Sequence, residues 1–373
     1  MPEAARPPNV SSLDAGSASS ASLDPRAYAA LDLGTNNCRL LIAAPTSRGF
    51  RVLEAFSRIV RLGEGLTHTG RLDSAAMDRA MAALKICADR IRKRGVPHVR
   101  AVATQACRSA ANGGDFLARV EAETGLKLHI ITPQEEARLS VAGCVSLLDR
   151  EAQAALVVDV GGGSTELSWV DLSELRFDPD RRPPHPARLP IKAWMSIPIG
   201  VVSLADKFPE DVDQRQAWFR AMVEEVKSRI AAFHGADALK PVFEAGRAHL
   251  IGTSGAITSL AGLHLGLPRY ERSLVDGLWM TRQDCEAAAE QLIHLSPKER
   301  AAKPCIGPDR ADLVLAGAAI LQAIQELWPC ARVRVADRGL REGLLMSLMS
   351  RPPRRRRRSR AGGSVAAMAG PPQ

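Results

Sequence analysis

The chain has 373 residues, of which 46% are apolar and 24% are charged, and its formal net charge is +9. This length exceeds what one hydrophobic core usually serves, so we expect two domains, and the composition excludes a fibrous or membrane-spanning protein. Seven of the nine excess positive charges are arginines within residues 351–373, so the rest of the chain is nearly neutral.

Hydrophobic periodicity divides the first half into alternating strands and helices. Strands are expected at 28–33, 38–43, 51–61, 98–103 and 127–131, and helices across 77–91, at 113–124 and from Pro133. Ser74 is the expected N-cap of the first helix and Gly95 its stop, while Thr132 and Glu135 predict a capping box for the last helix.

The second half repeats this order. Strands are expected at 154–160, 166–170, 191–197, 248–252 and 332–336, and helices at 200–207, 211–231, from Ser254, at 281–294, 309–327 and 339–349. The segment 176–190 is crowded with Pro and Arg and is interpreted as a surface loop.

Two tandem βββαβα units predict an α/β fold of the duplicated actin-like, ribonuclease H-like class, with a cleft between its domains. We expect domain I at 27–150 and domain II at 151–350, with the last helix able to pack back on domain I. A Rossmann fold fits less well, because its glycine turn leads into a helix. Here both glycine turns lead into strands.

A small-residue turn follows an aspartate at the start of each half. The first turn is Gly34, Thr35, Asn36 and Asn37 after Asp32, and the second is Gly161, Gly162, Gly163, Ser164 and Thr165 between Asp159 and Glu166. Glycine lets successive backbone N–H groups converge on a phosphate, and an aspartate offers a hard oxygen ligand to Mg²⁺. Both turns are predicted to bind phosphate rather than only to reverse the chain.

A third segment, Gly252, Thr253, Ser254 and Gly255, follows a strand and opens a helix, whose N-terminus suits a phosphate. Ser254 is equally suited to be a simple N-cap.

Two further charged residues have open roles from the sequence pattern alone. Glu136 complements the dipole of the helix that starts at Pro133, and Arg108 is either a phosphate clamp or a surface residue. The eight histidines show no spacing typical of metal ligands, so any metal is expected to be bound by oxygen.

Cysteine usage and the N-terminal segment predict the compartment. Seven scattered cysteines without a CxxC spacing indicate reduced thiols, with neither a disulfide framework nor a zinc site. No apolar stretch resembles a signal peptide or reaches the roughly 18 residues of a membrane span. We therefore expect a cytoplasmic protein without membrane contact, and disordered segments at 1–26 and 351–373.

Taken together, these motifs resemble the Ppx/GppA family of exopolyphosphatases and guanosine pentaphosphate phosphohydrolases, in its short form. The matching stretches run from about residue 29 to 348 and are the two glycine turns with their acids, 60–66, 103–108 with Asn112, 134–138, 197–200, 252–255, 310–312 with Gly317, and 339–343. Asn37 departs from this pattern, which usually has a serine there.

The resemblance implies hydrolysis of the terminal phosphoryl group of polyphosphate or guanosine pentaphosphate. By position, it makes Glu136 the catalytic base and Arg108 an active-site arginine. It associates Asp32, Asp159 and Glu166 with Mg²⁺, or Mn²⁺ as a substitute, and with the attacking water. It also implies that a homodimer is common among relatives, and that a short member favours short polyphosphate or guanosine pentaphosphate.

Two other classes of function stay open from the sequence. A sugar- or acid-kinase-like phosphotransferase would use the same fold and the same phosphate turns. A non-enzymatic nucleotide- or polyanion-binding protein would use the arginine-rich tail at 351–373, whose charges suit salt-dependent contact with polyphosphate or nucleic acid.

Overall fold

Two β-sheets, one in each half of the chain, form the centre of the protein in a computed structural model that describes residues 26–47, 49–175 and 188–350. The first sheet has the strand order β3-β2-β1-β4-β5 and the second β10-β11-β9-β6-β7-β8. The strands are β1 (Tyr28–Leu33), β2 (Asn37–Thr46), β3 (Gly49–Ile59), β4 (His98–Ala103), β5 (Leu128–Ile130), β6 (Ala154–Val160), β7 (Thr165–Asp171), β8 (Ile191–Ile197), β9 (Ala248–Thr253), β10 (Trp279–Thr281) and β11 (Arg332–Ala336).

Fourteen α-helices in the described residues cover these sheets. They are α1 (Leu66–Thr69), α2 (Ser74–Lys93), α3 (Gln105–Ser109), α4 (Gly113–Thr124), α5 (Pro133–Cys144), α6 (Val201–Lys207), α7 (Arg215–Ala231), α8 (Lys240–Glu244), α9 (Gly255–His264), α10 (Arg272–Val275), α11 (Arg282–His294), α12 (Pro297–Ala302), α13 (Val314–Leu327) and α14 (Leu340–Met349).

The two sheets share one topology. In each, a central strand (β1 or β6) pairs antiparallel with the strand after it and parallel with a later strand, β4 or β9. These central strands are apolar and buried because neighbouring strands and helices surround them on every side. The duplicated α/β fold expected from the sequence is thereby confirmed, and it places the ends of β1 and β6, with their glycine turns, at equivalent positions.

Helices α5 and α14 cross between the halves. Helix α14 closes the chain yet packs on the first sheet, where Leu344 and Leu345 join Ala30 and Leu41 in one buried cluster. Helix α5 packs against α14 and against β6, β7 and β8 of the second sheet. Each half therefore has a helix of the other half among its packing partners.

Glycines let α5 and α14 approach until their backbones touch. A Cβ on Gly143 would lie 1.9 Å from the carbonyl oxygen of Gly339, and a Cβ on Gly343 would lie 1.9 Å from that of Leu139. No side chain fits at such distances, so glycine is required at these two helix positions. The contact fixes the first turn of α14 against α5.

Most predicted elements match the structure, with differences at helix ends and in short elements. Asp73, not Ser74, caps α2, because its carboxylate accepts from the N–H groups of Ala75 and Ala76. Thr132 caps α5 as expected, but the carboxylate of Glu135 binds Arg100 and does not complete a capping box. Strand β10 and the short helices α1, α3, α8, α10 and α12 were not expected.

Some expectations fall on residues that the structure leaves undescribed. Residues 1–25, residues 176–187 of the expected loop, and the arginine-rich segment 351–373 lie outside the described residues. The seven cysteines all lie in the described part of the chain, and each is buried and free of a disulfide. Among the described helices, none has the length and apolar character that crossing a membrane requires.

We predict that Gly343→Ala destabilises the protein by about 1–3 kcal/mol, because the new Cβ meets a carbonyl oxygen and forces α5 and α14 apart. Thermal unfolding followed by circular dichroism measures the effect. Gly114→Ala on α4 is the matched control, because nothing lies within 4 Å of its added Cβ. That control should be neutral or stabilising. Equal melting temperatures for the two variants would contradict the proposed role of the contact.

Candidate active site

The two glycine turns meet across one cavity. A Cβ on Gly162 would lie 3.0 Å from the backbone nitrogen of Asn36 and 3.0 Å from Cβ of Thr35, so the turns are in contact. Beside them lies a cavity of about 360 Å³ that both halves line. Asp32 and Asp159, each placed at the end of a central strand, both face it.

Backbone hydrogen bonds orient the first turn. The carbonyl of Asn36 accepts from the N–H groups of Val60 and Arg61 at 2.8 and 3.1 Å, and that of Thr35 accepts from Gly63 at 2.9 Å. The N–H groups of Thr35 and Asn36 have no hydrogen-bond partner among the described residues. The carbonyl groups of the turn therefore bind the loop at 60–63, and its backbone N–H groups stay available for a ligand.

The second turn is oriented in the same way. The carbonyls of Gly161 and Gly162 accept from Val201 and Val202 at the start of α6, at 3.0 and 2.8 Å. Within the described ranges, the N–H groups of Gly162 and Gly163 have no acceptor. Two sets of free donors thus line one cavity, which is an arrangement suited to an anion.

The residues of the third predicted segment, 252–255, have different roles in the structure. Ser254 accepts from the N–H of Ile257 at 3.1 Å and is the N-cap of α9, and Thr253 donates to the carbonyl of Arg338 at 2.8 Å. Thr253, Ser254 and Gly255 line the cavity, but Gly252 does not. A Cβ on Gly252 would lie 2.7 Å from Cδ1 of Ile257, so this glycine serves packing.

Thr165 also lies outside the cavity lining. Its side chain is buried and donates to the carbonyl of Ile199 at 2.7 Å. Successive residues of a strand point to opposite faces, so Thr165 points away when its neighbour Glu166 faces the cavity. The other residues predicted in the two turns, Gly34, Thr35, Asn36, Asn37, Gly161, Gly162, Gly163 and Ser164, all line it.

Six carboxylates line this cavity, and four of them belong to residues of the predicted site: Asp32, Glu136, Asp159 and Glu166. The other two, Asp337 and Glu342, are paired with Arg272. Asp159 and Glu166 stand directly opposite each other in the β6–β7 pair, a position where like charges repel. Burial raises the pKa of Glu166 to about 7, with Asp159 adding to the rise. The carboxylate of Glu166 accepts from Ser196 at 2.8 Å, and that of Asp159 accepts from Ser140.

Among the residues that the structure describes, Asp32 lacks the hydrogen bonds that Asp159 and Glu166 receive. Burial raises its pKa to about 6, against the attraction of Arg39, its partner across the β1–β2 pair, and of Arg341. Its Oδ1 atom is buried without any hydrogen-bond partner. A buried acceptor in this state is costly unless a ligand completes it.

Glu136 enters the cavity from the first turn of α5. Burial raises the pKa of this carboxyl group well above its ordinary value, the charge of Glu166 raises it further, and Arg108 lowers it. Arg108 donates to Glu136 Oε2 at 3.2 Å, to the carbonyl of Ile131 at 2.7 Å and to the Gln105 side chain at 2.6 Å. Arg108 itself does not line the cavity and holds Glu136 from behind.

Five further arginines line the cavity and were not among the predicted site residues: Arg39, Arg272, Arg310, Arg338 and Arg341. Arg272 is paired with Asp337, and Arg338 with Asp276. The side chains of the other three have no hydrogen-bond partner in the described part of the chain. Arginine forks left free beside a cavity are ready to bind phosphate oxygens. Of these arginines, Arg39 could have been found from the sequence, because it is a charged residue in the apolar strand that follows the first turn.

The carboxylates fit a divalent cation in their chemistry. Asp32 Oδ1 is an unpartnered hard oxygen, and Asp159 lies close enough for its charge to raise the pKa of Asp32. Across the described residues, however, no three His, Cys, Asp or Glu side chains are grouped as a ready-made metal site. A cation here would complete its shell with substrate oxygens and water, as Mg²⁺ commonly does.

The sequence profile of the Ppx/GppA phosphatase family matches residues 41–352. The chain belongs to this family. The resemblance seen in the sequence motifs is thereby confirmed.

Solved structures of the family agree with the fold. An exopolyphosphatase-like protein is 28% identical, with a TM-score of 0.73, over 86% of this chain and 98% of its own. A Ppx/GppA family member of Aquifex aeolicus is 27% identical, with a TM-score of 0.66, over 86% of this chain and 96% of its own. An exopolyphosphatase from Cytophaga hutchinsonii, at 24% identity and a TM-score of 0.74 over 87% and 97%, shares the fold.

We predict that Asp32→Asn changes how stability depends on pH. The folded-state pKa of about 6 lies above the ordinary 3.8, so the folded protein holds this proton more tightly than the unfolded chain. The resulting stabilisation is complete below about pH 4 and is lost as pH rises through 6. Relative to wild type, the variant should therefore gain up to about 3 kcal/mol in free energy of unfolding between pH 4 and 7.

Urea unfolding at several pH values measures this difference. Glu123→Gln is a control of opposite sign, because hydrogen bonds from Lys85 and Arg119 lower the pKa of Glu123. Its contribution is present above the ordinary pKa and is lost as pH falls. A constant difference between wild type and Asp32→Asn at all pH values would show that Asp32 is not held in a desolvated site.

Proposed function

We propose that the protein is a Mg²⁺-dependent phosphohydrolase that releases terminal orthophosphate from inorganic polyphosphate, guanosine pentaphosphate or both. One observation supports this most directly: two glycine turns from different halves line one cavity together with six acids and five arginines. Within the described residues, each turn has backbone N–H groups without an acceptor, and three of the arginines have no hydrogen-bond partner. Such a cavity combines anion binding with groups that activate water.

The shape of the donor set favours a chain of phosphates over a single one. The N–H groups of both turns suit one tetrahedral anion at their point of contact. Arg39, Arg310 and Arg341 line the same cavity from β2, from the segment before α13 and from α14, so they suit oxygens further along the chain. The names of relatives as exopolyphosphatases accord with this substrate class.

Glu136 is the proposed general base. Water attacks the terminal phosphorus, its proton passes to the Glu136 carboxylate, and the bridging P–O bond breaks to release orthophosphate and a chain one unit shorter. A raised pKa makes Glu136 a stronger base near neutral pH, provided that it is ionised when substrate binds. Arg108 favours the ionised form and fixes the carboxylate in place.

Asp32, Asp159 and Glu166 are the residues that would hold the metal. Magnesium bound there would neutralise charge on the phosphate oxygens during the transfer. The protein itself would position the phosphate with its backbone N–H groups and exclude bulk water from the carboxylates. Phosphoryl transfer depends mainly on such positioning and electrostatics.

We predict that Glu136→Gln lowers kcat for phosphate release at least about 100-fold, because the amide cannot accept the proton of the attacking water. Phosphate release from polyphosphate with Mg²⁺ is the measurement. Glu135→Gln is the matched control, since the adjacent carboxylate binds Arg100 and does not line the cavity. Similar losses in the two variants would remove Glu136 from the mechanism.

Substrate preference is tested with short polyphosphate, long polyphosphate and guanosine pentaphosphate at one magnesium concentration. Orthophosphate from at least one of them is the expected result. ATP-dependent transfer to an acceptor with no hydrolysis would instead identify a phosphotransferase, and absence of both reactions would overturn the proposed activity.

We predict that Mg²⁺ stabilises the wild type and does so much less for Asp32→Asn. A ligand that binds only the folded state at one hundred times its Kd adds about 2.7 kcal/mol. Melting temperatures with and without Mg²⁺, and after EDTA treatment, give the comparison without any turnover. The same magnesium-dependent shift in both proteins would show that Asp32 does not contribute to the metal site.

A further inference from the structure

An ion pair joins the two halves of the chain beside the cavity. The guanidinium of Arg61 donates from Nη1 to Asp312 Oδ2 at 2.9 Å and from Nη2 to Asp312 Oδ1 at 3.1 Å. Nη2 also donates to the carbonyl of Asp309 at 3.2 Å. This is the two-pronged geometry in which arginine binds a carboxylate most specifically.

Arg61 belongs to the loop that orients the first glycine turn. Its own N–H and that of Val60 bind the carbonyl of Asn36. The loop is braced by Arg79, which donates to the carbonyl of Val60 at 3.0 Å and to the Glu64 carboxylate at 2.7 Å. The position of the Arg61 side chain is therefore tied to the turn itself.

The backbone of Arg61 is also unusual. Its φ angle is 47°, and in the described part of the chain it is the only residue other than glycine whose φ lies in the left-handed region. A residue with a long side chain rarely adopts this left-handed conformation. Here it turns the guanidinium towards the other half of the chain.

The partner segment carries one of the cavity arginines. Asp312 lies two residues after Arg310, whose guanidinium lines the cavity next to Gly255. Because Arg61 binds both Asp309 and Asp312, it holds the backbone on either side of Arg310. The ion pair thus connects the first glycine turn, through the hydrogen bond from Arg61 to Asn36, to the residues that flank Arg310.

We propose that Arg61 and Asp312 are positioning residues: their ion pair holds the two halves closed and places Arg310 on the anion bound at the glycine turns. This inference rests on the proposed function, because Arg310 needs a phosphate chain as its partner. The pair is half-exposed, with 33% of the Arg61 side chain and 52% of the Asp312 side chain accessible. Salt should therefore loosen it.

The first test measures closure without turnover. Spin labels on cysteines introduced at the exposed positions Glu121 and Lys298 report the distance between the halves, and all native cysteines are buried. Arg61→Asn removes the guanidinium, while asparagine tolerates a left-handed backbone. The variant should show a longer or broader distance distribution than wild type. An unchanged distribution would overturn the inference, whatever the activity of the protein.

The second test separates positioning from chemistry. Arg61→Asn and Asp312→Asn should each raise KM about three- to tenfold with little change in kcat, since they leave Glu136 in place. The exchange Arg61→Asp with Asp312→Arg should recover part of the loss. Asp78→Asn, which breaks an exposed pair with Arg119 within the first half, is the matched control and should have no effect.

The outcomes are distinct. A wider distance with unchanged KM would refute the positioning role, and equal KM values for Asp78→Asn and Asp312→Asn would do the same. If wild type hydrolyses no phosphate substrate, the proposed function fails, while the distance measurement still decides whether the pair holds the halves closed.

Discussion

The backbone contact between α5 and α14 is the constraint on which the site depends. Both helices begin at the cavity: Glu136 lies in the first turn of α5, and Arg341 and Glu342 lie in the first turn of α14. Because glycines bring the two helices into contact, the distance between these first turns is fixed by backbone atoms rather than by flexible side chains. A carboxylate from one half and an arginine from the other can then face one ligand.

The cavity holds charges in an arrangement that costs stability. Asp159 and Glu166 oppose each other across a strand pair, and burial raises the pKa of both. Asp32 Oδ1 and Asn36 Oδ1 are buried without partners. Groups in this state are the ones that a ligand or cation can satisfy, so the same features that weaken the ligand-free fold would provide affinity for the proposed anion and metal.

Sequence patterns predicted the long elements because these elements have one clear apolar face. Strand β10 has three residues, too few to show a period, and it was missed. Thr165 was assigned to the site because it follows Ser164 in a motif, although strand alternation places only one of Thr165 and Glu166 on the cavity face. The capping box at Glu135 failed because Arg100, 35 residues away, offered a stronger partner.

Long-range pairs were beyond any local pattern. Arg61 and Asp312 are 251 residues apart. Both belong to stretches that resemble the family, 60–66 and 310–312, but neither stretch indicates that the two side chains pair. Arg39 could have been suspected, since an arginine in a buried strand needs an acid or an anion nearby. Asp32, the residue opposite Arg39 in the strand pair, is identified only when the register of β1 and β2 is known.

The contacts that join the halves differ in strength, and this difference decides where the cleft can open. The α5–α14 contact is buried, and its glycines interlock with backbone carbonyls, so it cannot slide without strain. The Arg61–Asp312 pair is half-exposed, a class of interaction worth about 0.2–1 kcal/mol. Thermal energy breaks such a pair readily. If the cleft opens on the side of Arg61, with the two helices as the fixed axis, the proposed substrate would reach the carboxylates without disturbing either core.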